Sequence, residues 1–218
     1  MAFFSFTDQA KKAKQILSFK SVTTGEKAEF PAFITKFDDS YTVNWGGSGP
    51  IFGRTDPVKN YQSTSRRISV AFDILGENLQ IATENFESFS KLIRMLYPVY
   101  SNPIAGENNA RTIKSGPLIR VKYVNYIKSG NNPDGLLGCI GGFNFAPDFG
   151  AGHFSRGGES EMIPLKYSVA FTFEPIHEQP LGASEDSLNT FLDQSFPYAS
   201  TTISEDVATA AVNNDIDR

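Results

Sequence analysis

The sequence predicts an α+β protein, mainly antiparallel β, with one packed helix. Three observations carry this. Ile68, Val70, Phe72 and Ile74 alternate with Ser69, Ala71 and Asp73, and Leu165, Tyr167, Val169, Phe171 and Phe173 repeat the pattern; period two marks a strand with one buried face. Between these runs Leu79, Ala82, Phe86, Phe89, Ile93 and Leu96 recur at steps of three and four, the spacing of an amphipathic helix. Phe supplies 19 of 218 residues, with 18 Gly and 12 Pro, a strand-and-turn vocabulary rather than that of a helical bundle.

In chain order, residues 5–19 predict a short helix capped by Thr7 or Asp8, with Ala10, Ala13, Ile16 and Leu17 on one side. Glu29 to Phe37 and Tyr41 to Trp45 predict a hairpin, because Asp38, Asp39 and Ser40 are turn formers. Gly46 to Pro50 begins a loop reaching about Ser65, long enough for a binding or assembly role. After the strand at 66–74, Gly76 breaks the pattern, Asn78 is placed to cap the helix over 78–96, and Pro98 stops it. Phe86, Phe89 and Ile93 are its expected buried face. Residues 101–117 read as loop. Leu118 to Lys128 and Leu136 to Phe145 predict a second hairpin about the turn Asn131-Asn132-Pro133-Asp134-Gly135. Residues 147–160 read as a glycine-rich loop. Pro175 and Pro180 end the last strand, a brief helix fits 187–194, and from Pro197 the polar composition predicts a flexible tail. The expected division is an N-terminal extension over 1–27, a β domain over 28–182 and an acidic tail over 183–218.

Charge and special residues exclude several classes. The net charge is −4. Seven acidic residues follow Ala183 against one basic residue, Arg218, so the body is nearly neutral and has no basic stripe for nucleic acid. The single Cys139 forbids an internal disulfide, and two histidines do not make a Cys/His zinc finger. No apolar run approaches the roughly 18 residues of a membrane span. The expectation is a chain made and kept in a cytosol, without membrane contact.

Catalytic motifs are absent. Neither G-x-x-x-x-G-K-[ST], G-x-G-x-x-G nor G-x-S-x-G occurs. His153, with Asp148, Arg156, Glu159 and Glu161 near in sequence, is the one candidate base or metal ligand, but a solvated loop histidine is the preferred reading. His177 reads as a strand-end surface residue and Cys139 as a small buried one. Asp38 with Asp39, and Glu185 with Asp186, lack the partner geometry that glycoside chemistry requires. Tyr41 and Trp45 form either a sugar platform or a half-buried strand pair, and Arg66 and Arg67 read as solvated. No catalytic, cofactor or metal residue is assigned.

The order of units carries a resemblance. Arg67 to Asp73 (RISVAFD) precedes the helix; Gly116 to Lys122 (GPLIRVK), Gly135 to Asp148 (GLLGCIGGFNFAPD) and Met162 to Glu174 (MIPLKYSVAFTFE) follow, with Leu181-Gly182 beyond. This set resembles the tube domain of baseplate tube-initiator proteins of contractile-tailed phages and, more distantly, tube proteins of contractile injection systems. It covers residues 28–182. The resemblance implies a tail-tube-like β-barrel or sandwich, a non-enzymatic virion protein assembled in the host cytoplasm, and a hexameric ring at the baseplate end of the inner tube. Its implied partners are copies of itself, the tail tube protein, baseplate hub proteins and, transiently, passing DNA. An ordinary tube subunit, or a carbohydrate-binding β-sandwich module, is the alternative. The expected assembly interface is Leu118, Arg120, Lys122, Phe143, Phe145, Val169 and Phe171, on the 118–145 hairpin and the 165–174 strand.

Overall fold

The computed structural model describes residues 6–13, 15–47, 49, 52–102, 111–155, 162–185, 187–193 and 196–198. The elements in chain order are α1 (Phe6–Lys12), β1 (Leu17–Ser21), β2 (Lys27–Phe30), β3 (Phe33–Gly47), β4 (Lys59–Leu75), α2 (Leu79–Met95), β5 (Val99–Tyr100), β6 (Ile113–Ser115), β7 (Ile119–Tyr123), β8 (Leu136–Ser155), β9 (Met162–Pro175), β10 (Ala183–Ser184) and β11 (Ser187–Phe191). One antiparallel sheet of seven strands has the order β2-β1-β7-β8-β9-β4-β3. The α+β, mainly antiparallel β expectation is met.

The sheet is curled but its ladder is open. Phe19 on β1 and Phe171 on β9 lie three strand steps apart, roughly 14 Å on a flat sheet, yet their ring centroids are 5.2 Å apart. β2 and β3 are the two edges. The closed ladder of a barrel is therefore not formed; side chains bridge the seam, with Phe30 on β2 reaching Phe72 on β4 at 6.2 Å and Phe37 on β3 reaching Tyr126 at 5.2 Å. The concave side is packed with Leu17, Phe19, Phe30, Ile68, Phe72, Ile119, Tyr167 and Phe173, all fully buried.

α2 packs on this core. Asn78 caps it, its Oδ1 accepting the Ile81 N–H at 2.8 Å. Phe89 is 1% exposed and its ring meets Phe30 at 4.6 Å, Phe145 at 4.9 Å and Tyr167 at 5.2 Å. The expected face is off by a fraction of a turn. Ala82, Asn85, Phe89, Leu92 and Met95 are buried, whereas Phe86 is 43% exposed and Ile93 only half-buried. Both stripes contain Ala82 and Phe89; the helix is rolled toward Asn85, and periodicity alone does not distinguish the two.

Other boundaries differ for identifiable reasons. The predicted helix over 5–19 is α1 followed by β1, whose Leu17, Phe19 and Ser21 are buried between β2 and β7. Residues 17–21 and 27–30 thus pair within the sheet. The predicted turn at Asp38–Ser40 is the middle of the 15-residue β3, with Asp38, Asp39 and Ser40 in register with Ser69, Ile68 and Arg67 of β4 in that order. Pairing along β4 overrides turn propensity there. The loop after Trp45 shrinks accordingly, because β4 already begins at Lys59. β6 lies in the segment read as loop, β8 runs past Phe145 to Ser155 with a register break between Asp148 and His153, and β11 replaces the short helix expected near 187–194. The 131–135 turn is as predicted. Gly135 has φ +102°, and a Cβ there would stand 2.2 Å from the Val121 carbonyl oxygen, so only glycine fits.

Candidate functional site

Register places two hairpins at opposite poles. The β4–β9 ladder runs from Ile68↔Phe173 to Leu75↔Lys166. Beyond Ile68 the β3–β4 hairpin continues alone to Gly47↔Lys59, about 27 Å for the eight residue steps from Arg67 to Lys59. Beyond Lys166, at the other pole, the β8–β9 hairpin continues to Ser155↔Met162. The β3–β4 arm is decorated with exposed apolar groups: Val43, Trp45 and Tyr61, with Phe52 in the connecting loop. Trp45 meets Tyr61 edge-to-face at 5.8 Å.

The convex face is different. Ser69, Ala71, Asn144, Ala170 and Thr172 line a shallow groove there with Lys36. The charges on this face are paired: Lys36 with Asp38 at 2.7 Å, Arg67 with Glu174 at 2.6 Å, Lys166 with Asp73 at 3.0 Å. The charges named on this face thus cancel in pairs.

At the root of the arm, on the concave side, lies a buried ion pair. Arg66 and Asp39 each have a side chain 3% exposed. Arg66 Nε donates to Asp39 Oδ1 at 2.9 Å, and Nη2 donates to Oδ2 at 2.6 Å. Oδ2 also accepts from the Tyr41 hydroxyl at 2.9 Å and the Tyr198 hydroxyl at 3.0 Å. The guanidinium is flanked by the Tyr41 ring at 5.4 Å and the Phe196 ring at 5.2 Å, a cation–π arrangement. Phe196 in turn meets the His177 imidazole edge-on at 5.5 Å, and Tyr198 meets Tyr126 at 5.7 Å. Burial alone would raise the Asp39 carboxyl, but the hydrogen bonds and charge of Arg66 outweigh it, with Tyr41 and Tyr198 adding, and hold it below the usual carboxylate range. Burial raises the Tyr41 and Tyr198 phenols. Burial, then Arg66, lowers His177 against the opposing pull of Asp193 and Asp39.

The expected interface residues do not share one surface. Val169 and Phe171 are core residues, and Phe143 and Phe145 are half-buried against that core. Leu118 is half-buried ahead of β7. Arg120 is occupied by Glu178 through bonds of 2.8 and 2.6 Å, and Lys122 by the Pro133 carbonyl at 2.8 Å. Both edges of β9 are paired within the chain, to β8 and β4. The strand has no free edge to offer a neighbour; among the described residues β2 and β3 are the outermost strands of the sheet.

His153 lies in β8 opposite Pro164, not in a loop, and is exposed; Arg156, Glu159 and Glu161 lie outside the described residues. Cys139 is half-buried. Among the described residues no group of three His, Cys, Asp or Glu is placed to hold a metal ion, and no helix is long and apolar enough to cross a membrane. Tyr41 and Trp45 do not make one platform, since Tyr41 is engaged by Arg66 and Asp39. Of the predicted tail, Pro197 and Tyr198 are seen packed at the arm's root, and residues 199–218 lie outside the described residues. The Arg66–Asp39 pair was missed although its signal was present. Arg66 falls in the buried phase of Ile68, Val70 and Phe72, and Asp39 in the apolar phase of Phe37, Tyr41 and Val43.

No protein-family model matches the chain, and no curated protein matches it. Among solved structures, it is similar to the Dit protein of phage SPP1, described as a paradigm of the hub adsorption apparatus in phages infecting Gram-positive bacteria. The two are 12% identical with a TM-score of 0.36, over 76% of this chain and 51% of that one. The chain thus spans about half of that protein's length, and an overlap of this size transfers neither fold nor function.

Proposed function

We propose that the chain is a structural subunit of a phage tail: a ring-forming protein, hexameric, that joins the hub to the inner tube at the baseplate end and starts tube polymerisation. The observation that carries this is the open, curled sheet with unlike hairpins at its two poles. Free edges at β2 and β3 suit sideways pairing between copies, which a closed ring satisfies completely. The apolar β3–β4 arm suits contact along the axis with a hub or tube protein. The ordered motif set from Arg67 to Gly182 points the same way. The convex face, with its cations neutralised in ion pairs within and between strands, suits a wall past which DNA slides, because each free Lys or Arg would add phosphate affinity. The reading assigns assembly, not catalysis, and needs no cofactor.

A second reading, as a carbohydrate-binding module, draws on the exposed Trp45–Tyr61 pair. Co-assembly with the hub and tube proteins, followed by particle imaging, separates the two. Sixfold rings between hub and tube are the expected result. Decoration of fibres or cell-wall fragments instead, with glycan binding lost in Trp45→Ala, would overturn the tail-ring reading. Rings spread along the whole tube would make the chain an ordinary tube subunit.

A further inference from the structure

Two buried nitrogens at the root of the arm have no hydrogen-bond partner among the described residues: Arg66 Nη1 and His177 Nε2. They belong to one cluster, because the Phe196 ring touches both side chains, the guanidinium at 5.2 Å and the imidazole at 5.5 Å. Phe196, Pro197 and Tyr198 thus lie as a short strap across the ion pair, held by the Tyr198 hydroxyl donating to Asp39, by the Phe196 N–H donating to the Asp193 carbonyl at 3.1 Å, and by ring contacts with Tyr41, Tyr126 and His177. We propose that this strap is released by protons: it stays closed over the root of the β3–β4 arm while His177 is neutral and lifts when the imidazole is protonated. The inference is independent of the tail-ring reading.

A neutral imidazole is tolerated beside a buried guanidinium, whereas an imidazolium adds a second cation to the same shielded space. The surrounding groups do not absorb that charge well. From β3 and β4 come Asp39, whose oxygens already accept from Arg66, Tyr41 and Tyr198, and Arg66 itself. From the end of β9 and the turn beyond it come Glu174, engaged by Arg67, and Glu178, engaged by Arg120. β8 contributes Cys139, and the segment after β11 contributes Asp193, whose carboxylate favours the proton but is outweighed by burial and Arg66. A cleft of about 700 Å³ lined by Thr64, Ser65, Arg66, Glu174 and His177 lies alongside, giving water a route to the ring once the strap lifts.

The sign follows from linkage. The closed form holds fewer protons than the open form, so closure is complete above the ordinary histidine value of about 6.5. Below it the closed-to-open ratio falls by up to about tenfold per pH unit, until the lowered value of the closed form is passed. The test is NMR of the full chain with labelled Phe, Tyr and His, following the Phe196–Tyr41 ring cross-peak and the His177 ring resonance from pH 7.5 to 5.0. The cross-peak should vanish as His177 titrates, persist at pH 5.0 in His177→Gln, and behave as wild type in His153→Gln. The wild-type titration decides the matter even if the Gln variant folds poorly. A cross-peak that survives protonation of His177, that is missing at pH 7.5, or that is lost over the same range in His177→Gln overturns the proposal.

Discussion

Asp39→Asn tests the buried ion pair at the root of the arm. The substitution keeps the shape of the side chain but removes its charge, and it turns an amide NH2 toward Arg66 Nε and Nη2 or toward the tyrosine hydroxyls. Arg66 then remains as a buried cation without a counter-ion. With both side chains 3% exposed, removal of one partner falls in the range of about 3–5 kcal/mol measured for broken buried pairs. For a chain of this size that corresponds to a drop in Tm of roughly 6–20 °C. Replacing both residues with apolar ones, Asp39→Leu with Arg66→Met, should restore most of the loss, because the desolvation of two charges disappears with them. The assay is equilibrium urea unfolding of the two singles and the double at pH 7, accepting the comparison only where the denaturant slope is unchanged. The exposed Arg67–Glu174 pair is the control, and Glu174→Gln should leave the midpoint unmoved. A loss for Asp39→Asn no larger than that of the control, or a double variant as unstable as the worse single, would refute the reasoning.

Three further outcomes follow from the same geometry. Phe89→Ala should cost about 3–5 kcal/mol in unfolding free energy, whereas Phe86→Ala, three residues away but exposed, should cost less than about 1 kcal/mol; equal losses would place the helix face wrongly. Tyr167→Phe should leave stability unchanged or raise it by about 1 kcal/mol, since the buried hydroxyl has no partner, and the phenol of the wild type, pushed up to about 12 by burial, should not ionise in a spectroscopic titration to pH 11 before the chain unfolds. In acid, the lowered Asp39 carboxyl contributes fully above about pH 4 and loses its contribution as pH falls through the folded value; Asp39→Asn should flatten that part of the stability–pH curve.

The strands on either side of α2, and α2 itself, were legible because alternation and helical spacing record burial directly. Ile68 to Ile74 and Tyr167 to Phe173 are in register with each other, and Asn78 caps where expected. What local reading could not supply was the partner. Asp38, Asp39 and Ser40 are turn formers in isolation, yet β4 holds them extended, and Leu17 completes a helical stripe in the sequence but shares a strand face with Phe19 in the sheet. Within the chain, Val169 and Phe171 of the expected interface set line the interior, so their apolar character already has a use inside the fold. Arg66 was read as solvated because charge suggested it, although its phase contradicted that.

The strand order also sets a timetable. The hairpins made first, β1–β2 and β3–β4, stand at opposite flanks of the seven-stranded sheet, and the strands that join them, β7, β8 and β9, are the last of that sheet to be made. A ribosome that has synthesised the first 160 residues has therefore produced β4 with one side waiting and no strand to fill it. Only the emergence of Met162–Pro175 links the two flanks into one sheet. Such late, long-range closure makes for slow folding and leaves strand edges bare in the nascent chain. A stop codon anywhere before β9 thus removes the strand that joins β4 to β8, an interior member of the sheet rather than a terminal appendage.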